Sequence, residues 1–375
     1  MPYILILAAL AVALAAAVPT GASGDTPPLY EEEIAASNPG RTEQARELET
    51  YLAREADDRS ALRKVFTPDY SSPQAYEKSA RKLRQALADT IGYPPPGQPD
   101  AEVPEFRRIG EDAIATYYRT RISVLPGVHV IGLYLVPKDR SKARRGRLPL
   151  VISLHGGDGS PEVATFHGGA NYNDMVRGAA KHGYAVYAPQ HLFKADGYPA
   201  DIRPRMDHRA RLIGTSITAI EIAKIRRGLD VVLQRPEIDP KRAAMVGLSY
   251  GSFYTLYTTA LEPRIRVAVA SCFFGDLAER MQQSEPDGWG DMRFSHGVTR
   301  FRDPEIAALI CPRPLEIQMG RRDTLIPIAP GRRTAPLVAD YYHRLGRDDN
   351  FRFVEFDGSH EFHGATAWEW LEKHL

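Results

Sequence analysis

Three short stretches of this chain carry residue types that could do chemistry together. The first is Gly247-Leu-Ser249-Tyr250-Gly251, which follows an apolar run from Ala243 to Val246 and precedes a helix-compatible segment. Gly-x-Ser-x-Gly between a strand and a helix describes a sharp turn with the serine at its tip. The two glycines let strand and helix approach without Cβ clashes. Such a turn exposes the Ser249 hydroxyl and aims the new helix N-terminus, with the Tyr250 N–H, at a reacting carbonyl. The other two stretches are Gly320-Arg-Arg-Asp323 and Asp357-Gly-Ser-His360-Glu-Phe-His363, each just beyond a β-like run. A serine hydroxyl is unreactive at neutral pH until a base removes its proton, and the base needs an orienting acid. Ser249, Asp323 and His360 supply those three roles in one order along the chain. The chemistry they suggest is nucleophilic acyl transfer, with a rate that falls when the histidine is protonated.

Two carboxylates compete for the acid's role. Asp276 and Asp323 follow neighbouring β-like runs, each four residues beyond the run's end at Cys272 or Met319. Asp323 is favoured, because its short Gly-Arg-Arg-Asp turn, closed by Pro327, can hold a carboxylate rigidly. Asp276 opens a long insertion and has freedom to point elsewhere. His360 is favoured over His363, which sits one helical turn on and reads as a helix-surface residue. These two histidines lack a third ligand, so no metal is expected. A tetrahedral intermediate also needs two N–H donors. Tyr250 offers one, and His155-Gly156-Gly157 sits where a strand-to-helix loop would supply the other. Gly157 is the candidate, since a glycine there turns backbone toward the oxyanion. His155 reads as a structural hydrogen-bonder in that turn.

The elements that must hold these groups are legible from periodicity. After a linker over residues 25–40, a helix is predicted from about Thr42 to Glu55. A second has Ser72 as N-cap, Pro73 at its first position, and Tyr76, Ala80, Leu83, Leu87 and Ile91 on one face. Residues 41–112 thus read as an N-terminal helical extension. From Ala113 the period changes. Thr116–Val124 and Val128–Val136 form a hairpin across Leu125-Pro-Gly127, and Leu148–Leu154 is a strand apolar enough to be buried on both faces. Strand and helix then alternate to the C-terminus. A helix follows Tyr172, a strand spans Tyr184–Ala188, and one long helix carries Ile213, Ile217, Ile220, Ile225, Leu229 and Val232. Strands Ile265–Ala270, Pro314–Met319 and Phe351–Phe356 follow the elbow, and a last helix turns Trp368 and Leu371 inward. Repeated βα units after an antiparallel start imply an α/β fold with a doubly wound, mostly parallel sheet over residues 113–375. Ligands of such sheets bind at the carboxyl ends of the strands.

Composition narrows the field. A net charge of +1 over 375 residues gives no electrostatic case for nucleic acid or an acidic membrane surface. Residues 1–24 read as a signal peptide, with an uncharged run from Ile4 to Val18 and small residues near a cut at 20–24. An uncleaved anchor is the alternative. Export would bring the chain to a membrane only in passing. Cys272 follows one strand at its carboxyl end and Cys311 precedes the next at the opposite edge. A strand separates those edges by roughly 17–20 Å, and a disulfide needs Cα atoms within about 7 Å. Both thiols are expected to be free.

At these residues the chain resembles the α/β-hydrolase superfamily, over roughly Ala113 to Leu375. Within it, the chain is similar to dienelactone-hydrolase-like and acetylxylan-esterase-like hydrolases. The likeness rests on Arg235-Pro-Glu-Ile-Asp-Pro240, Gly247-Leu-Ser-Tyr-Gly251, Leu261-Glu-Pro-Arg-Ile265 and Ile310-Cys-Pro-Arg-Pro-Leu315. It implies Ser249, Asp323 and His360 as a triad, the Gly157 and Tyr250 amides as oxyanion hole, and neither metal nor organic cofactor. Two departures stand out: Ser252 where many relatives have glycine, and a serine where dienelactone hydrolases proper use cysteine. The expectation is an exported serine hydrolase that cleaves carboxylic esters, including acyl groups on carbohydrates, through an acyl-enzyme. A peptidase of the prolyl-oligopeptidase type shares the Ser-Tyr-Gly elbow, but the chain before Ala113 is too short for its propeller. A non-catalytic ligand-binding relative is the third alternative. Two insertions, Gln190 to Asp207 and Phe273 to Ile310, should shape a substrate pocket. Phe273, Phe274 and Trp289 in the second suit stacking on sugar rings, and suit a small satellite core equally well.

Overall fold

A computed structural model of the chain describes residues 29–167, 171–193, 196–283 and 290–375. The expected leader and Trp289 lie outside the described residues. The chain divides into two units, one ending at Tyr51 and one running from Leu52 to Leu375. The first holds a 3-10 turn, Ile34–Ser37, and most of helix α1 (Asn38–Asp57), and its described residues are exposed. Among the described residues no helix is long and apolar enough to cross a membrane.

The second unit opens with α2 (Ser60–Val65) and α3 (Pro73–Ile91). The Ser72 hydroxyl caps α3 by accepting from the Ala75 amide at 3.1 Å, and Gly92 ends it at φ 73°, the left-handed conformation that glycine adopts without strain. Tyr76, Ala80, Leu83, Leu87 and Ile91 are all buried, as their spacing predicts. Burying a large apolar side chain contributes roughly 1.5–3 kcal/mol, so this face fastens α3 to the body that also contains the sheet.

Among the described residues the sheet has nine strands in the order β1-β2-β3-β5-β4-β6-β7-β8-β9. They are β1 (Glu105–Glu111), β2 (Ala115–Leu125), β3 (Val128–Pro137), β4 (Leu148–Leu154), β5 (Ala185–Pro189), β6 (Ile238–Leu248), β7 (Ile265–Ser271), β8 (Leu315–Gly320) and β9 (Phe351–Phe356). Pairings among β1, β2, β3 and β5 are antiparallel, and those from β5 through β4 and β6 to β9 are parallel. The edge strand β1 is half polar along its length, which is why periodicity passes over it.

Helices cover both faces. After β4 come α4 (Pro161–Phe166) and α5 (Met175–Lys181); after β5 come α6 (Ile202–Leu212) and α7 (Ile217–Val232). The elbow helix is α8 (Tyr250–Leu261), followed beyond β7 by α9 (Leu277–Gln283), α10 (Gly297–Arg300) and α11 (Asp303–Ala308). Helices α12 (Ile328–His343) and α13 (Gly364–His374) follow β8 and β9. The single long helix expected through Ile213 is in fact two. Gly214 takes φ 79°, and the Ser216 hydroxyl caps α7 by accepting from the Ala219 amide at 3.0 Å, which leaves Ile213 exposed between them. On α13, Leu371 faces inward as expected. Its deeply buried tryptophan is Trp370, whereas Trp368 is half-buried against Phe362.

The chain runs from β4 to β5 on one side, and the next connection crosses back over β4 to β6 on the other. The crevice beyond the carboxyl ends of β4 and β6 is therefore the place where such a sheet presents a ligand site. Leu154 pairs with Gly247 in that register, which sets His155-Gly156-Gly157 beside the elbow.

Candidate active site

Ser249 has φ 59° and ψ −121°, a strained conformation for a residue bearing a Cβ. The surroundings enforce it. A Cβ on Gly247 would lie 2.2 Å from the Gly251 carbonyl oxygen, and one on Gly251 would lie 2.0 Å from that of Leu154. Only glycines allow strand and helix to close so tightly around the serine. The Ser249 amide donates to the Ser271 carbonyl at 2.9 Å, tying the tip to β7. Ser252, the departure from glycine, is fully buried and donates to the Phe273 carbonyl at 3.4 Å.

Asp323 and His360 meet. The imidazole Nδ1 lies 2.7 Å from Asp323 Oδ2, and the other carboxylate oxygen accepts from the Leu325 and Ile326 amides at 2.9 Å each. A carboxylate only accepts, so Nδ1 carries the proton and the neutral ring keeps its lone pair on Nε2. That Nε2 is buried and has no hydrogen-bond partner among the described residues. The two loops are fitted backbone to backbone: a Cβ on Gly320 would lie 2.1 Å from the Ser359 carbonyl oxygen. Asn171 donates to the His360 carbonyl at 3.1 Å and Asn173 to Glu361 at 2.9 Å, so the histidine loop is held from across the crevice. Asp276 does not reach His360. It accepts from the Ala278 amide at 3.0 Å, capping α9, and pairs with Arg302 at 3.6 Å. The ring of His363 stacks on Phe356, with centroids 4.8 Å apart.

Both cysteines are free and buried. Cys272, at φ 55°, sets its sulfur 3.3 Å from the Glu361 carbonyl oxygen, and its sulfur and the ligand atoms of Asp323 and His360 lie within 4.8 Å of one another. That trio has the chemistry of a cation site, but burial pushes the thiol up to about 12 and the other two groups already bond each other.

Around the expected oxyanion position, the Gly156 amide donates to the Tyr172 hydroxyl at 3.0 Å, whereas the Gly157 amide has no acceptor among the described residues. Tyr250 opens α8, where the first-turn N–H groups lack intrahelical acceptors. Phe273 and Phe274 are fully buried; Phe273 packs edge-on against Phe253 with Arg280 over its face. Both join the large core cluster that also holds Phe253, Tyr254 and Ala268, rather than a separate satellite core, and at this burial neither offers an open ring face. A cleft of about 410 Å³ does open beside the acid loop, lined by Leu325, Ile326, Pro327, Asp276 and Arg280.

Sequence reading missed an ionic cluster beneath the other side of the elbow. Arg203 on α6 and Asp291, in the second insertion, are each 3% exposed and lie 2.8 Å apart. Glu221 on α7 bonds His191 Nδ1 at 3.2 Å and Lys224 at 2.8 Å. Burial would raise the Glu221 carboxyl, but Lys224, His191 and Arg203 outweigh it and hold it well below the usual carboxylate range. Burial and the neighbouring His191 push His155 down to about 3, so its ring stays neutral. No local motif announces this cluster, because each element contributes only one or two of its members.

No family model matches the chain. In sequence it is similar to YtaP, assigned as a hydrolase, of Bacillus subtilis (strain 168). The two are 28% identical over 133 residues, 35% of this chain and 44% of that protein, so the match spans under half the relative's length. In structure it is similar to a Bacteroides fragilis protein assigned as an acetyl xylan esterase, with TM-score 0.62 and 18% identity over 79% of this chain and 80% of that one. Methylesterase BT1017 gives TM-score 0.64 at 18% identity over 85% and 68% of the two chains, respectively. A glucuronoyl esterase from Solibacter usitatus gives TM-score 0.59 at 14% identity over 80% and 94%. At such identities the likeness speaks for the fold. With a mostly parallel sheet, helices on both faces and a strained serine turn after β6, the chain has the α/β-hydrolase fold.

Proposed function

We propose that this protein is an exported serine carboxylester hydrolase acting on small esters, among them acyl or alkyl esters of carbohydrates. Ser249 attacks the carbonyl carbon while His360 Nε2 takes its proton, and Asp323 holds the ring through Nδ1 and stabilises the imidazolium that forms. The Gly157 and Tyr250 amides receive the developing oxyanion. His360 returns the proton to the leaving alcohol, and water, activated by the same imidazole, releases the acid and restores Ser249. No metal or organic cofactor takes part in this scheme.

The observation that carries the reading is the 2.7 Å His360–Asp323 contact, which leaves a buried Nε2 without a partner among the described residues at the same sheet edge as the strained Ser249. The names borne by the structural neighbours support the ester class: acetyl xylan, methyl and glucuronoyl esterase are all carboxylester hydrolases. Export is proposed from the apolar leader alone. The test is a panel of p-nitrophenyl acyl esters, acetylated xylan, methyl glucuronate esters and aminoacyl amides, with Ser249→Ala as control. Turnover of esters over amides, abolished in the control, is expected. Preference for the amides would favour a peptidase, and no turnover of any substrate a binding protein.

A further inference from the structure

The buried ionic cluster beside the elbow is more than the fold requires. A buried ion pair is often no more stabilising than a well-packed apolar replacement, because desolvation offsets the Coulombic gain. Something other than stability should therefore account for charges at this depth, and their hydrogen bonds say what they hold. Asp291 spends one oxygen on Arg203, whose Nε lies 2.9 Å away, and the other on the Tyr250 hydroxyl at 3.0 Å. Arg203 further donates to the Leu192 carbonyl at 2.6 Å and to the Tyr254 hydroxyl. Its guanidinium lies 5.1 Å from the Tyr250 ring centroid and 4.9 Å from that of Phe193. Those two rings meet edge to face at 4.6 Å. Both border Gly157, where an added Cβ would lie 3.1 Å from Phe193 and 3.5 Å from Tyr250. The ring of one expected oxyanion donor thus packs against the backbone of the other.

A second arm grips the same loop from behind. The Glu221 carboxylate accepts from the Leu192 amide at 2.9 Å, on the other side of the residue whose carbonyl Arg203 holds. His155 bonds the Gly156 carbonyl through Nδ1 at 2.8 Å and accepts from the His191 amide through Nε2 at 3.0 Å. That pattern needs a neutral ring, which its burial maintains. The loops after β4 and β5 and the first turn of α8 are therefore tied together through side chains that carry no obvious chemistry of their own.

We infer that Arg203, acting through Asp291 and the Tyr250 hydroxyl, is a positioning residue that fixes the oxyanion-binding amides of Gly157 and Tyr250. The inference rests on the hydrolase reading given above. An oxyanion donor acts only when charge develops, so its misplacement lowers kcat and leaves KM largely alone. Removing one donor outright costs about 10²–10³ in kcat; displacing one should cost part of that. Tyr250→Phe, which keeps the ring and removes the hydroxyl, should lower kcat about 10-fold. Asp291→Asn and Arg203→Lys should lower it by about 10–10².

The measurement is kcat per serine titrated to completion with a fluorophosphonate, so that misfolded molecules drop out of the count. KM should stay within about 2-fold, and the inhibition constant of an alkyl boronic acid should rise in step with the loss of kcat. The double variant Tyr250→Phe/Asp291→Asn should be no slower than Asp291→Asn alone, since both cut one chain of contacts. Wild-type kcat per titrated serine in Tyr250→Phe, or additive losses in the double variant, would overturn the inference. Should Asp291→Asn fail to fold, Tyr250→Phe and its boronate constant decide alone. Wild-type protein that hydrolyses no ester would overturn the hydrolase reading and this inference together. Active wild type with an indifferent Tyr250→Phe would overturn this inference only.

Discussion

The two flanks of Ser249 are built on different principles. On one side, Asp323 and His360 sit on short loops directly beyond β8 and β9, the carboxylate buried and the imidazole partly exposed, joined by one short hydrogen bond. On the other, Arg203, Asp291 and Glu221 lie almost fully buried and come from α6, the second insertion and α7. The first flank presents groups that can exchange protons. The second spends its charges on one another and on main-chain atoms. The groups proposed to react sit on rigid strand ends with the imidazole partly open to solvent, while the charges on the other flank are sunk where desolvation makes rearrangement costly.

Variants can break that contrast or sharpen it. The largest effect is expected at the nucleophile: Ser249→Ala should lower ester turnover by on the order of 10⁶, with near-UV circular dichroism unchanged. Asp323→Asn comes next, at on the order of 10⁴ in kcat, because the amide leaves His360 in the wrong tautomer. On the buried flank the expected loss is in folding. Glu221→Ala should destabilise the protein by about 3–5 kcal/mol in urea denaturation at neutral pH, since it strands Lys224 and the His191 ring. The sign of its pH dependence follows from the lowered carboxyl. Its contribution is complete above the ordinary carboxylate range and fades as the pH falls toward the lowered value, so the gap between wild type and variant should narrow below about pH 4. A stability gap that widens in acid would contradict the arrangement.

Smaller effects test the edges of the comparison. Asp276→Asn should leave kcat near wild type and cost no more than about 1 kcal/mol in denaturation, as expected for a residue that caps α9. A loss of rate approaching that of Asp323→Asn would move the acid to Asp276. The smallest response is expected from the thiols. Burial pushes both Cys272 and Cys311 up to about 12, so a disulfide-exchange reagent at pH 8 should label neither in the native protein. Unfolding without reductant should release both of the chain's 2 cysteines.

The same contrast explains what could be read from the sequence. The elbow glycines, the Ser72 cap, the apolar run of β4 and the Asp323 and His360 loops all carry local signatures, and each sits where its spacing puts it. Their physics is short-range: a turn that only glycine permits, a periodicity, a residue just beyond a strand. The edge strand β1 has too few apolar positions to announce itself. The start of helix α6 lies in a polar stretch whose inward face mixes Ile202 and Ala210 with the charged Arg203 and Asp207, so no apolar period marks it. The Arg203–Asp291 pair spans elements far apart in the chain, and nothing near either residue points to the other. Asn171 and Asn173, which steady the histidine loop, are equally silent. Aromatic residues mislead in the opposite direction: Phe273 and Phe274 read equally well as core or as a binding surface, and only packing decides.

The Arg203–Asp291 pair also bears on how this scaffold can be rebuilt. Its two halves belong to different loops, one after β5 and one after β7. A chimera that imports either loop by itself would bury the guanidinium without its Asp291 partner or the carboxylate without its arginine, a penalty of up to about 3–5 kcal/mol. Loop-swapping libraries aimed at a new substrate should therefore fail when the loops are exchanged singly and succeed when they are recombined as a matched set. The two segments form one module, inherited or discarded together.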